Sequence, residues 1–246
     1  MTPSTPVTSC HPNGDTPSSG DGPSPAEQAL LAARSAEADA GRGETIIVLG
    51  IGNLLWADEG FGVRCVEALD AGWHFPPQVR LVDGGTQGLY LIQHVQAARR
   101  LLILDAIDYG LAPGTLKLVR DEEVPRFLGA KKMSLHQTGF QEVLSLAQLT
   151  GRYPQQVLLI GCQPEQLEDY GGSLRPVVRA AMDRALALAL DELRAWGAAP
   201  VAREQAPQEA DAVGQPTLAI EVYERGRPTA EAACRIGDAR FMPTAG

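Results

Sequence analysis

The chain contains no run of 18 or more apolar residues, so no segment is long enough to cross a bilayer as a helix. It also lacks a basic excess: 21 Lys and Arg stand against 30 Asp and Glu, giving a formal net charge of −9 and a pI near 5.0. Nucleic-acid binders carry a basic stripe, and anionic lipid calls for a polybasic segment; neither is present. The start of the chain has no basic stretch followed by an apolar core, so no secretory signal is expected. The four cysteines, Cys10, Cys65, Cys162 and Cys234, form no C-x-x-C pair. That argues against a thiolate zinc site and suits reduced thiols in the cytoplasm. Gly50-Ile51-Gly52 opens like a dinucleotide fingerprint, but Leu55 occupies the place of the third glycine, and no Walker pattern exists. A nucleotide-dependent enzyme is therefore disfavoured.

What the sequence does contain is organised in three parts. Residues 1–43 begin with Pro, Ser, Thr, Gly and Asp, a composition that cannot bury enough apolar surface to offset chain entropy. This segment is expected to be a disordered extension, helical at most over Ala26–Ala38. Residues 44–197 form the folded domain. Thr45–Gly50, Leu101–Leu104 and Val157–Ile160 are continuous apolar runs, as strands buried on both faces require. Val79–Val82 is a further short strand, and the more alternating Thr115–Val119 is an edge strand. Between them, Glu59–Leu69, Gln87–Ala98 and Thr138–Leu149 carry helical spacing, and Leu174–Trp196 is a long Ala- and Leu-rich helix. Strands alternating with helices predict a three-layer α/β/α sandwich around a twisted, largely parallel sheet of about five strands. Residues 198–246 read as a linker and tail, with Leu218–Tyr223 forming one strand or helix docked on the domain.

In open parallel sheets, ligands bind beyond the carboxyl ends of the strands. Three polar residues follow predicted strands or precede a predicted helix there: Glu59 after the first strand, Asp105 at the tip of the third, and His136 in a loop before the helix at Thr138. Two carboxylates and an imidazole suit a borderline divalent ion such as zinc, nickel or iron, and three protein ligands leave positions open for a substrate. Each residue also has a plainer reading. Glu59 favours a helix dipole, Asp105 is a cap or turn residue, and His136 is a solvated loop residue. Asp58 either caps the following helix or orients Glu59. Gly84 and Gly85 either shape a loop lining the cleft or form a plain turn. Thr138 caps its helix with Gln137 facing substrate. Cys162 follows a strand and is either a buried small hydrophobe or a thiol paired with His136.

The string from Leu49 to Val63 (LGIGNLLWADEGFGV), with Asp83-Gly84-Gly85-Thr86, Asp105-Ala106-Ile107, Pro113-Gly114-Thr115 and Ser134-Leu135-His136-Gln137, resembles the hydrogenase maturation endopeptidases, motif by motif and in the family's order. Within that family it looks like the branch serving membrane-bound uptake hydrogenases. The resemblance covers residues 44–197. It implies a twisted sheet between helices and an endopeptidase that removes the C-terminal extension of the nickel-iron hydrogenase large-subunit precursor, just after a basic residue that follows the last metal-binding cysteine motif. It implies that Glu59, Asp105 and His136 grip metal. Nickel is then carried by the precursor, with other divalent ions able to replace it, and marks the precursor as loaded. The size suits a monomer. A non-catalytic chaperone or nickel carrier is the alternative reading, and no catalytic nucleophile and base pair is evident.

Overall fold

The computed structural model describes residues 24, 43–125, 135–205, 207 and 212–227, with residues 135–138 and 216 described by their backbone alone. The expected helical stretch Ala26–Ala38 lies outside the described residues.

The first apolar run becomes β1 (Ile46–Ile51), and every residue in it is buried. Its even positions, Ile46 and Val48, join one apolar cluster, and its odd positions, Ile47, Leu49 and Ile51, join another. This is the period-2 alternation of a strand with both faces covered. A 3-10 turn at Ala57–Gly60 leads into α1 (Phe61–Gly72). β3 (Val79–Gly85) follows, after the short β2 (Trp73–His74), then a second 3-10 turn at Gly88–Leu91 and α2 (Ile92–Ala97). β4 (Arg100–Ala106) and β5 (Leu116–Arg120) come next, then α3 (Leu135–Leu149), β6 (Gln156–Cys162) and α4 (Pro176–Ala195).

The sheet has five strands in the order β3-β1-β4-β6-β5. β1, β3, β4 and β6 pair in parallel, and β5 joins β6 antiparallel at the edge. One face packs on α1 and α4 through Phe61, Val66, Leu69, Val178, Ala185 and Leu193. The other packs on α2 and α3 through Leu91, Val95, Phe140, Val143 and Leu144. The three-layer α/β/α architecture expected from the sequence is the one observed. The helix predicted to begin at Thr138 starts three residues earlier, at Leu135. Thr138 is therefore an internal helical residue and not a cap, and His136 stands in the first turn of a helix instead of a loop.

The region after residue 197, read as a linker, contributes regular structure. β7 (Val201–Ala202) pairs antiparallel with β2 in a two-stranded ribbon. Leu218–Tyr223 is helical: a 3-10 turn at Pro216–Leu218 precedes α5 (Ile220–Gly226). Polar side chains on the domain hold this segment. Arg64 donates to the Leu218 carbonyl at 2.6 Å, and the Asp70 carboxylate accepts the Val213 N–H at 2.9 Å. Among the described residues, no helix is long and apolar enough to cross a membrane.

Candidate functional site

Because β1, β3, β4 and β6 run parallel, Ile51, Gly85, Ala106 and Cys162 all end at one edge of the sheet. Two glycines decide how closely the turn that carries Glu59 lies over that edge. A Cβ at Gly62 would run into the carbonyl oxygens of Leu104 and Ile51, and one at Gly52 would run into the carbonyl oxygen of Glu59. Gly52 also has φ 138°, a conformation that side chains rarely adopt. Their missing side chains let the first turn of α1 rest directly on the tips of β1 and β4. Glu59 thus lies three residues before a contact with the residue next to Asp105. The two carboxylates predicted to act together occupy one edge of the sheet, on adjoining elements.

Glu59 is half-buried, and burial raises its pKa above the ordinary value of 4.5, because desolvation disfavours the charged form. Its neighbour Asp58 is fully buried. The Asp58 carboxylate accepts three backbone N–H groups, from Glu165 at 2.9 Å and Gln166 at 2.8 Å on Oδ2 and from Arg175 at 2.7 Å on Oδ1. No side-chain hydrogen bond caps α1. Asp58 therefore ties the turn to the loop between β6 and α4, and the Asp58 N–H completes the tie by donating to the Gln166 carbonyl at 3.1 Å. Between Trp56 and Asp58, Ala57 is held at φ 40°, in the left-handed region where a Cβ is strained.

Asp105 is 2 % exposed at the end of β4, in register with Gly161 of β6. By strand alternation it lies on the same face as Leu101 and Ile103, the face covered by α2 and α3. Tyr109, which the sequence reading did not single out, is buried beside it. Burial first, then the charges of Asp105 and Cys162, push the Tyr109 phenol upward, so it stays protonated. Room for its hydroxyl comes from Gly161, where a Cβ would coincide with that oxygen. Lys117 sits 5.2 Å from the Tyr109 ring centroid. The Tyr109 backbone N–H donates to Gln163 Oε1 at 2.7 Å, and Gln163 Nε2 donates to Asp108 at 3.0 Å. Tyr109 is four residues past Asp105, a weak sequence signal; its partners lie on another strand.

The His136 and Gln137 side chains lie outside the description, but their helix is placed. The first turns of α3 pack on the 3-10 turn after β3, with Gly139 closely facing the Gly88 backbone. The first turn of α3 therefore adjoins the loop that leaves the same sheet edge. Gly84 and Gly85 close β3 there: Gly85, at φ 45°, donates its N–H to Asp83 Oδ1 at 2.9 Å and accepts the Gly52 N–H at 3.0 Å. Asp83, also at this strand end, has its pKa raised by burial, with the Gly85 N–H and Arg64 opposing. Among the described residues, no group of three or more His, Cys, Asp or Glu is arranged to hold a metal ion, and that set does not include the His136 side chain.

Cys162 is fully buried, and burial, then the Asp58 charge, pushes its thiol up to about 12, with Arg184 opposing. Cys65 is likewise buried and its thiol is raised well above the ordinary range. Both behave as small hydrophobes in the α1/α4 layer. A nucleophilic thiolate at Cys162 would need the opposite environment.

A family model described as hydrogenase maturation protease matches residues 63–192. The chain is 68% identical over 198 residues to a hydrogenase expression/formation protein, HoxM, of Cupriavidus necator, covering 80% of this chain and 98% of that one. It is 44% identical over 160 residues to the hydrogenase 2 maturation protease of Escherichia coli, covering 65% of this chain and 96% of that one. Among solved structures, the hydrogenase maturating endopeptidase HybD from E. coli superposes with a TM-score of 0.62 at 42% identity, covering 65% of this chain and 98% of that one.

Proposed function

The chain belongs to the hydrogenase maturation protease family and is an endopeptidase that removes the C-terminal extension of a nickel-iron hydrogenase large-subunit precursor, and we propose that it reads the precursor's bound nickel through Glu59, Asp105 and His136. The observation that carries this reading is the seating of the Glu59 turn on the tip of β4 beside Asp105, enforced by Gly62. The nickel belongs to the substrate. Oxygen and nitrogen donors with open positions suit a borderline ion that already has other ligands. A half-buried Glu59 and a buried Asp105 offer donors in a low-dielectric setting, where attraction to a cation is strong. Such an ion would polarise the scissile carbonyl or a water molecule.

The chain's own part is positioning. Asp58 fixes the turn, Gly62 sets its height above the sheet, and Tyr109 holds a proton beside Asp105. In this reading an empty precursor lacks the central contact, so the irreversible cut follows metal insertion. We place the reaction in residues 44–197 and the protein in the cytoplasm as a monomer.

The test is incubation of the purified chain with nickel-loaded and nickel-free precursor, followed by mass spectrometry of the large subunit. Loss of the tail from the loaded form alone is expected, and Glu59→Gln and His136→Ala are expected to abolish it while remaining folded. Equal trimming of both precursors would overturn the gate, and full trimming by both variants would overturn the residue assignment.

A further inference from the structure

Eleven large hydrophobic side chains are exposed among the described residues, and six of them stand on the four loops that leave the carboxyl edge of the parallel sheet: Leu55, Trp56, Leu89, Tyr90, Leu111 and Tyr170. The enrichment is specific to this edge, which is also the one carrying Glu59 and Asp105. Residues 52–60, 86–91, 107–114 and 163–174 contain no Lys, Arg or His, while Asp108, Glu165 and Glu168 are exposed on them. These four loops are therefore apolar with an anionic fringe. Scattered apolar residues need no explanation, but a concentration of them around one site marks an interaction surface.

Its centre is a built feature. The rings of Trp56 and Tyr170 meet edge-to-face with centroids 5.5 Å apart, although the residues remain 36% and 64% exposed. Their backbones are joined by the Gly171 N–H donating to the Leu55 carbonyl at 2.7 Å and by bridges from Trp56 to Tyr170 and Gly172. Asp58 anchors the same loop from below through Glu165, Gln166 and Arg175. From outside, the Tyr223 hydroxyl donates to the Gly172 carbonyl at 3.4 Å. Glu224 accepts the Ser173 hydroxyl at 2.7 Å and is held by Arg179 at 2.7 Å. The helix α5 thus braces a fixed aromatic platform three residues from Glu59. Aromatic anchors that keep their shape before binding are favoured interface residues, because little conformational freedom remains to be lost.

We infer that the Trp56–Tyr170 pair, with the apolar rim around it, is the docking surface for the body of the large-subunit precursor next to its cut site. The inference rests on the reading that this precursor is the substrate. An apolar face fringed with cations is the complement of this rim, and continuity with the site directs it to the protein whose chain must reach Glu59. The grip is separate from the metal contact: it sets how tightly the precursor binds, and the metal contact sets whether it is cut.

The experiment is steady-state trimming of purified nickel-loaded precursor by the full chain, read by mass spectrometry. Trp56→Ser, Tyr170→Ser and the double variant are compared with Leu149→Ser, an exposed apolar residue at the far end of α3. The expected result is a rise in KM of at least tenfold for the double variant with kcat within about twofold, the pattern of lost uniform binding. Leu149→Ser leaves both unchanged. Conservative Trp56→Tyr and Tyr170→Phe, which retain rings on the platform, restore KM to within about threefold and exclude a folding defect as the cause. A KM within twofold of the parent in a double variant that melts like the parent would overturn the docking surface. If the parent chain trims nickel-free precursor equally well, the nickel gate falls while the KM comparison still decides the docking surface. If the parent chain trims neither precursor, the substrate reading falls, and the named occupant with it.

Discussion

Replacing Asp58 with Ala is expected to cost more stability than any surface change of the same size, and the structure supplies the reason. The carboxylate is fully buried and receives three backbone N–H donors between 2.7 and 2.9 Å. A buried donor left without an acceptor costs about 1–3 kcal/mol, and bonds to a charged acceptor stand at the upper end. Two terms offset the sum: the buried charge no longer has to be desolvated, and water can reach part of a relaxed loop. The net expectation is about 3–5 kcal/mol, in the tail of single-substitution effects. For a domain of this size that corresponds to a fall in Tm of roughly 10 °C. Asp58→Asn keeps one acceptor but turns an NH2 group toward the remaining donors, so a smaller loss of roughly 2 kcal/mol is expected. The assay is urea unfolding followed by far-UV circular dichroism, with the m-value checked so that the change reads as stability and not as a shift in denatured-state compactness. A loss below about 1 kcal/mol for Asp58→Ala would refute the anchoring role argued from its three amides.

Glu59→Gln separates function from stability. A carboxylate whose folded pKa is raised by burial contributes stability at low pH that is lost as pH rises through the folded value, so at neutral pH the charged Glu59 is a burden. The Gln variant should melt no lower than the parent at pH 7 yet trim nothing; a clearly lower Tm would contradict the desolvation account. Because metal capture needs an ionised Glu59 and a neutral His136, trimming by the parent should fade on acidification, and a rate undiminished at the ordinary glutamate value of 4.5 would oppose it. Gly62→Ala should destabilise by about 3 kcal/mol through overpacking against Leu104 and Ile51, whereas Gly72→Ala, with open space around it, should change little by the same thermal melt; equal effects would discount the close approach. Cys162→Ala should retain kcat/KM within about threefold in the trimming assay, since its thiol is protonated at neutral pH; a hundredfold loss would reinstate it as the nucleophile.

The buried strands were legible because a strand covered on both faces is apolar through its middle, as Ile46–Ile51, Leu101–Leu104 and Val157–Ile160 are. α4 was legible from its Ala- and Leu-rich spacing. The start of α3 was misjudged because Thr138 offers a local capping signal, while the register set by Phe140, Val143, Leu144 and Ala147 against the sheet carries the helix back to Leu135. That Glu59 and Asp105 share one edge was legible because strand ends in a parallel sheet meet there, a property of topology and not of neighbours. The partners of Asp58 lie 107, 108 and 117 residues away, a distance over which spacing carries no information. Tyr109 was missed for a related reason: its place depends on a gap at Gly161. The ribbon of β2 and β7 was hidden in two residues per strand, too few for any periodicity to register.

Ala57, locked at φ 40° between the aromatic platform and Glu59, bears on the cost of association. Glycine would occupy that angle without strain, but it would also let the peptide swing when the partner is away. A methyl group there trades a small enthalpic penalty for a narrowed set of loop shapes. The link between Trp56 and Asp58 is set during folding, so meeting a partner does not have to freeze it again.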